Sequence, residues 1–81
     1  IVNIAPSFGA IKLEDFRAPE CFAIEEALMQ RLEMPIMHDD QHGTATVVLA
    51  ALLNATRYVG DDLRVLSVGI VGLGAAGNGI A

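Results

Sequence analysis

The stretch Pro35-Ile36-Met37-His38-Asp39-Asp40-Gln41-His42-Gly43-Thr44 decides how the chain is expected to fold. Its first four residues predict a short strand, and the helix-forming run after them predicts a helix over 43–59. The two aspartates then follow the carboxyl end of a strand, where α/β sheets place their ligands. A simpler alternative is that Asp40 only caps the following helix.

Upstream of this stretch, the sequence predicts a strand, a loop and a helix. Ile1–Ala5 is apolar and favours a strand, residues 7–18 read as a loop, and Pro19 suits the first turn of a helix. An amphipathic helix is predicted by apolar residues at helical spacing, namely Cys21, Ile24, Leu28 and Leu32. Its polar side is expected to carry Glu25, Glu26, Gln30 and Arg31.

Downstream, the helix over 43–59 is predicted to be buried, because Val47–Leu53 is apolar on all sides. Gly60 is expected to end it. Val65–Val71 is a nearly continuous β-branched run, typical of a buried parallel strand, and a glycine-rich turn and a further helix follow. The predicted class is therefore α/β, with the order β-α-β-α-β-α around a parallel sheet.

Two pairs of acidic residues could hold a metal ion. Glu14 and Asp15 lie in the first loop, and Asp39 and Asp40 lie at the strand end. Hard oxygen donors from two such tips suit Mg²⁺ or Mn²⁺, although each pair could also be a solvated acidic loop. His38 and His42 have the i, i+4 spacing of a zinc motif. The strand-like residues before His38 favour a supporting polar role for both histidines instead.

The glycine-rich turn predicts nucleotide binding. Gly72-x-Gly74-x-x-Gly77 follows a predicted strand and opens a helix, which is the context that a dinucleotide fingerprint requires. Gly72 allows the tight turn, Gly74 lets the backbone approach the pyrophosphate, and Gly77 permits close packing. A plain tight turn is the alternative. The acidic residue that separates NAD from NADP is expected after Ala81, so both cofactors stay open.

Composition narrows the class of partner and compartment. The chain has 81 residues, 53% of them hydrophobic, and a net charge of −5, which suggests an internal piece of a larger α/β protein. Without a basic cluster, nucleic acid and anionic membranes are not expected partners, and Val47–Leu53 is too short to span a bilayer. The single Cys21 allows no internal disulfide, so we expect a reducing, cytoplasmic location.

Taken together, these motifs resemble the malic enzymes, closest to the bacterial type. Lys12 stands where that family often has Asn. The resemblance covers essentially the whole chain and lies in the stretches Ile11-Lys12-Leu13-Glu14-Asp15, Pro35-Ile36-Met37-His38-Asp39-Asp40-Gln41-His42-Gly43-Thr44-Ala45 and Val48-Leu49-Ala50-Ala51-Leu52-Leu53-Asn54-Ala55.

The resemblance implies a homo-oligomeric enzyme that oxidatively decarboxylates malate to pyruvate and CO₂, reduces NAD(P)⁺ and uses Mg²⁺ or Mn²⁺. It implies that residues 1–42 end the substrate and metal domain and that 43–81 begin a Rossmann-like cofactor domain. The implied metal ligands are Glu14, Asp15 and Asp40, with Asp39 helping to orient a catalytic lysine. The implied cofactor residues are Gly72, Leu73, Gly74, Ala75, Ala76 and Gly77, with Thr44 near the nicotinamide.

The family's catalytic tyrosine and lysine are expected outside this chain, so Tyr58 and Lys12 are assigned no such role. The isolated chain is therefore expected to be inactive and poorly folded. A non-catalytic NAD(P)-binding or sensor module is the alternative function, and it would be favoured if the family's tyrosine and lysine were missing from the whole protein.

Overall fold

Two short parallel strands form the centre of the fold. The structure, a computed structural model, describes all of residues 1–81. β1 (Ile11–Leu13) pairs with β2 (Ile36–His38), with Ile11 opposite Ile36 and Leu13 opposite His38. The helix α1 (Glu20–Met29) connects the strands and packs against β2. The predicted α/β class with a parallel sheet is confirmed.

The helix α1 supplies the small apolar core. Cys21 and Leu28 are buried, as the helical spacing predicts, together with Ala5 and Leu13. Pro19 occupies the N-cap position. The helix ends at Met29, so Leu32 lies beyond it rather than on its last turn.

A π-helical turn, Asp39–Gly43, joins β2 to the helix α2 (Thr44–Val59), and we call it the acidic turn. The predicted helix and its end are confirmed, because Gly60 adopts the left-handed conformation at φ 81° that glycine tolerates best. The prediction that α2 is buried is wrong. Val47 is 68% exposed, and Thr56 is the only buried residue of the helix.

The predicted first strand, Ile1–Ala5, is also wrong. The backbone N–H groups of Ile4 and Ala5 donate to the carbonyl oxygen of Ile1, and a 3-10 turn follows over Ala5–Ser7. Local turn hydrogen bonds therefore replace strand pairing. The strand that pairs with β2 is β1, which lies inside the stretch predicted to be a loop.

The predicted strand Val65–Val71 is not formed. Leu63–Val65 is a single 3-10 turn, and residues 66–73 belong to no helix or strand. Val65 is 76% exposed. The β-branched run predicts a strand, but no second strand lies beside it to accept its hydrogen bonds. The sheet therefore has two strands, and the predicted β-α-β-α-β-α order is not complete.

The chain ends in the helix α3 (Ala75–Ile80), which packs on both α2 and the acidic turn. Only seven of the 81 residues are buried, and three of these are polar: His38, Gln41 and Thr56. His38 and Gln41 belong to β2 and the acidic turn, so that region holds most of the ordered polar interior. None of the helices is both long enough and apolar enough to cross a membrane.

Candidate active site

The ends of β1 and β2 bring two acidic segments together. The backbone N–H of Asp15 donates to Oδ2 of Asp40 over 2.9 Å, although the residues are 25 apart in sequence. Asp15 is the only non-glycine residue with a positive φ, at 61°. Asp tolerates this left-handed conformation better than most residues do. The chain thus leaves strand geometry immediately after β1, which lets the two tips meet.

Lys12 forms ion pairs with two of the carboxylates at these tips. Its Nζ lies 2.8 Å from Oε2 of Glu14 and 3.4 Å from Oδ2 of Asp39. The hydrogen bond to Glu14 raises the pKa of Lys12 above its ordinary value. Because Lys12 is exposed, these pairs are worth little to stability. Their consequence is positional, since Glu14 and Asp39 both face the ammonium group.

His38 is fully buried beneath the acidic turn. Its Nδ1 lies 3.0 Å from Nε2 of Gln41. Its Nε2 lies 3.2 Å from Oδ2 of Asp40, but the angle is poor for a hydrogen bond and Nε2 has no other partner. A buried polar group without a good partner lowers the stability of the fold by about 1–3 kcal/mol. The surroundings of Nε2 therefore need a structural explanation.

Glu25 reaches from α1 to hold the acidic turn. Its Oε1 accepts the backbone N–H of His38 over 2.8 Å and lies 3.0 Å from Nε2 of His42. Its Oε2 lies 3.1 Å from the same ring nitrogen and 3.4 Å from Nε2 of Gln41. The side chain is only 12% exposed. Burial by itself raises the pKa of Glu25, but the His38 N–H and the His42 ring outweigh it and lower the pKa overall.

The predicted metal ligands do not form a metal site as the chain stands. No three Asp, Glu, His or Cys side chains are grouped closely enough to hold an ion. Glu14 faces Lys12, whereas Oδ2 of Asp40 accepts from Asp15. The structure therefore brings together Asp15 and Asp40 but does not direct all three carboxylates to one point.

Two alternatives for the acidic stretch are wrong. Asp40 does not cap α2, because no side chain makes a capping hydrogen bond there. His38 and His42 do not form a zinc pair, since one ring contacts Gln41 and the other contacts Glu25. Each histidine ring instead contacts a neighbouring polar side chain, and the supporting role that the strand-like residues before His38 favour stays a prediction.

The glycine-rich turn over residues 72–77, called the glycine turn below, has the close contacts that its spacing predicts. Gly72 has φ 105°, and a Cβ on Gly77 would overlap the carbonyl oxygen of Gly72. Gly74 precedes α3 in an extended conformation with open space where a Cβ would be. Leu73 is exposed, Ala76 is exposed and Ala75 is half-buried. The turn is thus tight at Gly72 and Gly77 and open at Gly74.

The glycine turn and the acidic turn are packed together through α3. A Cβ on Gly79 would lie 2.6 Å from the carbonyl oxygen of Gln41, so the two backbones touch at a position where only glycine fits. Thr44 begins α2 directly after the acidic turn and is half-buried. The predicted cofactor residues therefore adjoin the turn that carries Asp39 and Asp40.

Sequence reasoning missed Glu25 and Gln41 as parts of the site. Glu25 was placed on the polar side of α1, but it lies on the buried side, four residues after Cys21 and three before Leu28. An acidic residue inside an apolar stripe is the signal that could have identified it, because such a group needs buried partners.

A parallel α/β segment with polar strand ends and an adjoining glycine turn is the architecture of many α/β enzymes that bind nucleotides. The comparisons with known proteins narrow this class. No family model matches the chain. It is 53% identical over 77 residues to NAD-dependent malic enzyme 1 of Bacillus subtilis (strain 168), covering 95% of this chain and 18% of that protein. It is 46% identical over 76 residues to the NADP-dependent malic enzyme of Escherichia coli (strain K12), covering 94% and 10%.

Solved structures give the same result. A crystal structure of malic enzyme from Pyrococcus horikoshii Ot3 matches with a TM-score of 0.88 and 50% identity, over 96% of this chain and 18% of that one. NAD-dependent malic enzyme from Thermotoga maritima matches with a TM-score of 0.86 and 46% identity, over 96% and 21%. The chain is a homologue of a segment of the malic enzymes, which include NAD-dependent and NADP-dependent oxidoreductases, and it spans between 10% and 21% of the length of these relatives.

Proposed function

We propose that the protein carrying this sequence oxidatively decarboxylates malate to pyruvate and CO₂ and transfers the hydride to NAD⁺ or NADP⁺. The identity of about one half to malic enzymes, over more than nine-tenths of the chain, carries this proposal. The relatives include both NAD- and NADP-dependent enzymes, so the proposal leaves the acceptor open.

Within that protein, we propose that Glu14, Asp15 and Asp40 are ligands of Mg²⁺ or Mn²⁺. The hydrogen bond between Asp15 N–H and Asp40 supports this, because it places the two strand ends side by side. For Glu14 to join them, its carboxylate has to leave the ammonium group of Lys12. Asp39 faces the same lysine and is proposed as a supporting carboxylate rather than a ligand.

The cofactor part of the proposal concerns residues 43–81. The tight contact between Gly72 and Gly77, and the open space at Gly74, suit a backbone that approaches a pyrophosphate. The other proposed cofactor residues are Leu73, Ala75, Ala76 and Thr44. We further propose that residues 1–42 belong to a substrate and metal domain and that Val65–Val71 pairs as a strand in a Rossmann-like cofactor domain.

The residues of this chain have distinct tasks in the proposed reaction. The carboxylates at the strand ends bind and orient, and they are not the acid and the base. The backbone of the glycine turn holds the cofactor next to the acidic turn, because Gly79 packs on Gln41. Proton transfer to and from malate is assigned to groups outside this chain. A homo-oligomer fits the many exposed apolar side chains, such as Val47 and Val65. A cytoplasmic location fits the free thiol of Cys21.

The test is a malate oxidation assay on the whole protein. Formation of NADH or NADPH should require malate and Mg²⁺ or Mn²⁺, and pyruvate should appear in equal amount. Binding of the dinucleotide without any turnover of malate would contradict the proposal and favour a non-catalytic NAD(P)-binding module.

A further inference from the structure

The side chains of Glu25, Gln41 and His38 form a polar chain beneath the acidic turn that the proposed reaction does not itself use. We propose that Glu25 is a positioning residue, which acts through Gln41 to hold His38 as the tautomer with its proton on Nε2, facing Asp40. The effect on metal binding rests on the proposed function, because it takes Asp40 to be a ligand. The tautomer of His38 does not depend on that assignment.

The orientation of the Gln41 amide follows from its neighbours. Its Nε2 lies 3.4 Å from Oε2 of Glu25 and 3.0 Å from Nδ1 of His38. An ionised carboxylate only accepts hydrogen bonds, so the amide nitrogen must face Glu25, and it is the same nitrogen that faces His38. Gln41 therefore donates to Nδ1 of His38. A neutral imidazole that accepts at Nδ1 carries its proton on Nε2.

The Nε2–H group of His38 faces the carboxylate of Asp40. The ring is fully buried, and Oδ2 of Asp40 lies 3.2 Å from Nε2. No other side chain, and no hydrogen bond of good geometry, satisfies this nitrogen. The buried N–H therefore favours an Asp40 carboxylate that stays beside it.

Asp40 is consequently held by one of its two oxygens. Oδ2 accepts the backbone N–H of Asp15 over 2.9 Å and faces Nε2 of His38. Its other oxygen, Oδ1, makes no hydrogen bond within the chain. Such an arrangement fixes the direction of a carboxylate while leaving one oxygen for a ligand, as supporting hydrogen bonds do around metal ligands.

Glu25 controls this arrangement because its carboxylate holds both the end of β2 and the side-chain amide of Gln41. The same carboxylate accepts the backbone N–H of His38 and contacts the ring of His42. If Glu25 becomes glutamine, its carbonyl oxygen is expected to keep the backbone N–H of His38, so its NH₂ group, which cannot accept a hydrogen bond, faces Gln41. Gln41 would then turn its oxygen toward Nδ1 of His38, and the proton would move from Nε2 to Nδ1.

The experiment is nitrogen-15 NMR of histidine-labelled whole protein, together with titration of Mn²⁺ by calorimetry. The wild type should show His38 as the Nε2–H tautomer. The Glu25→Gln and Gln41→Glu variants should both shift it toward Nδ1–H and weaken Mn²⁺ binding about tenfold. Glu26→Gln is the matched control, because Glu26 is exposed on the same helix, and it should change neither result.

An Nδ1–H tautomer in the wild type would overturn the proposal, and so would variants that leave both the tautomer and the Mn²⁺ affinity unchanged. If Gln41→Glu fails to fold, the more conservative Glu25→Gln decides the outcome. Failure of the proposed function looks different, since the wild type would then bind no Mn²⁺ and turn over no malate while the tautomer could still be read.

Discussion

The acidic turn lies in the packed part of the chain, whereas the β-branched run Val65–Val71 is exposed and forms no strand. Around the acidic turn, β1, α1 and β2 supply each other's partners, and His38 and Cys21 are fully buried. The β-branched run has strand composition but no neighbouring strand, and it stays exposed. The difference shows that a strand is a property of a pair, whereas a helix or a turn satisfies its own backbone.

The glycine turn lies between these two extremes. Its tight contact between Gly72 and Gly77 is local, but its packing on the acidic turn is long-range, through Gly79 and Gln41. It is therefore a formed part of the proposed cofactor region, and substitutions there can separate local geometry from cofactor binding.

Among the variants that alter cofactor binding, the largest effect is expected for Gly77→Ala. The new Cβ would overlap the carbonyl oxygen of Gly72, so the turn must open. We expect the affinity for NAD(P) to fall about 10- to 100-fold, equivalent to about 1–3 kcal/mol of backbone strain, in a binding titration of the whole protein. Gly74→Ala has open space and should weaken cofactor binding without lowering the melting temperature. Gly9→Ala should do neither, and unchanged affinity in Gly77→Ala would refute the role of the turn.

The next prediction concerns the packed region around the acidic turn. Leu28→Ala removes a buried side chain from the small core between α1 and the sheet. We expect it to lower the free energy of unfolding by about 2–3 kcal/mol, measured by chemical denaturation. Met29→Ala, at the exposed neighbouring position, should change it by less than about 0.5 kcal/mol. Equal effects of the two variants would show that α1 does not bury the face described here.

Much of this packed side could be predicted from sequence. The spacing of Cys21 and Leu28, the strand after Pro35 and the glycine that ends α2 are local signals, and the structure bears them out. β1 was missed because three residues give almost no periodicity. Val65–Val71 was predicted as a strand because composition reports what a segment favours and not whether a partner strand is present.

The candidate site also has features that the sequence could predict and features that it could not. The carboxylates of Asp39 and Asp40 could be placed at a strand end from their position after Ile36-Met37-His38. The contact between Glu25 and Gln41 could not be predicted, because it joins residues that are 16 apart in sequence, one on α1 and one in the acidic turn. Side-chain networks of this kind depend on tertiary packing, which no local pattern encodes.

A smaller effect is expected on how the free energy of unfolding depends on pH. The pKa of Glu25 is lowered by the fold, so its contribution to stability is complete above its ordinary value of 4.5 and is lost as the pH falls through the lower folded value. We expect Glu25→Gln to reduce the free energy of unfolding by about 1 kcal/mol at about pH 7. That difference should shrink toward about pH 3, as followed by denaturation at a series of pH values.

Asp62→Asn is the control for this measurement. The pKa of Asp62 is also lowered, by its hydrogen bonds from Arg64, but both side chains are exposed. Its substitution should have little effect on stability at any pH, because exposed ion pairs are weak. A difference for Glu25→Gln that stays constant or grows in acid would show that its buried charge does not support the acidic turn.

Calorimetric titration of Mn²⁺ into the whole protein and its Asp40→Asn variant tests the proposal that Asp40 is a metal ligand. In the variant, the backbone N–H of Asp15 and the ring Nε2–H of His38 should face the amide oxygen. The NH₂ group of the amide then turns toward the ion. We expect the variant to stay folded and to lose Mn²⁺ affinity by at least about 100-fold. Equal affinity in the two proteins would contradict the proposal.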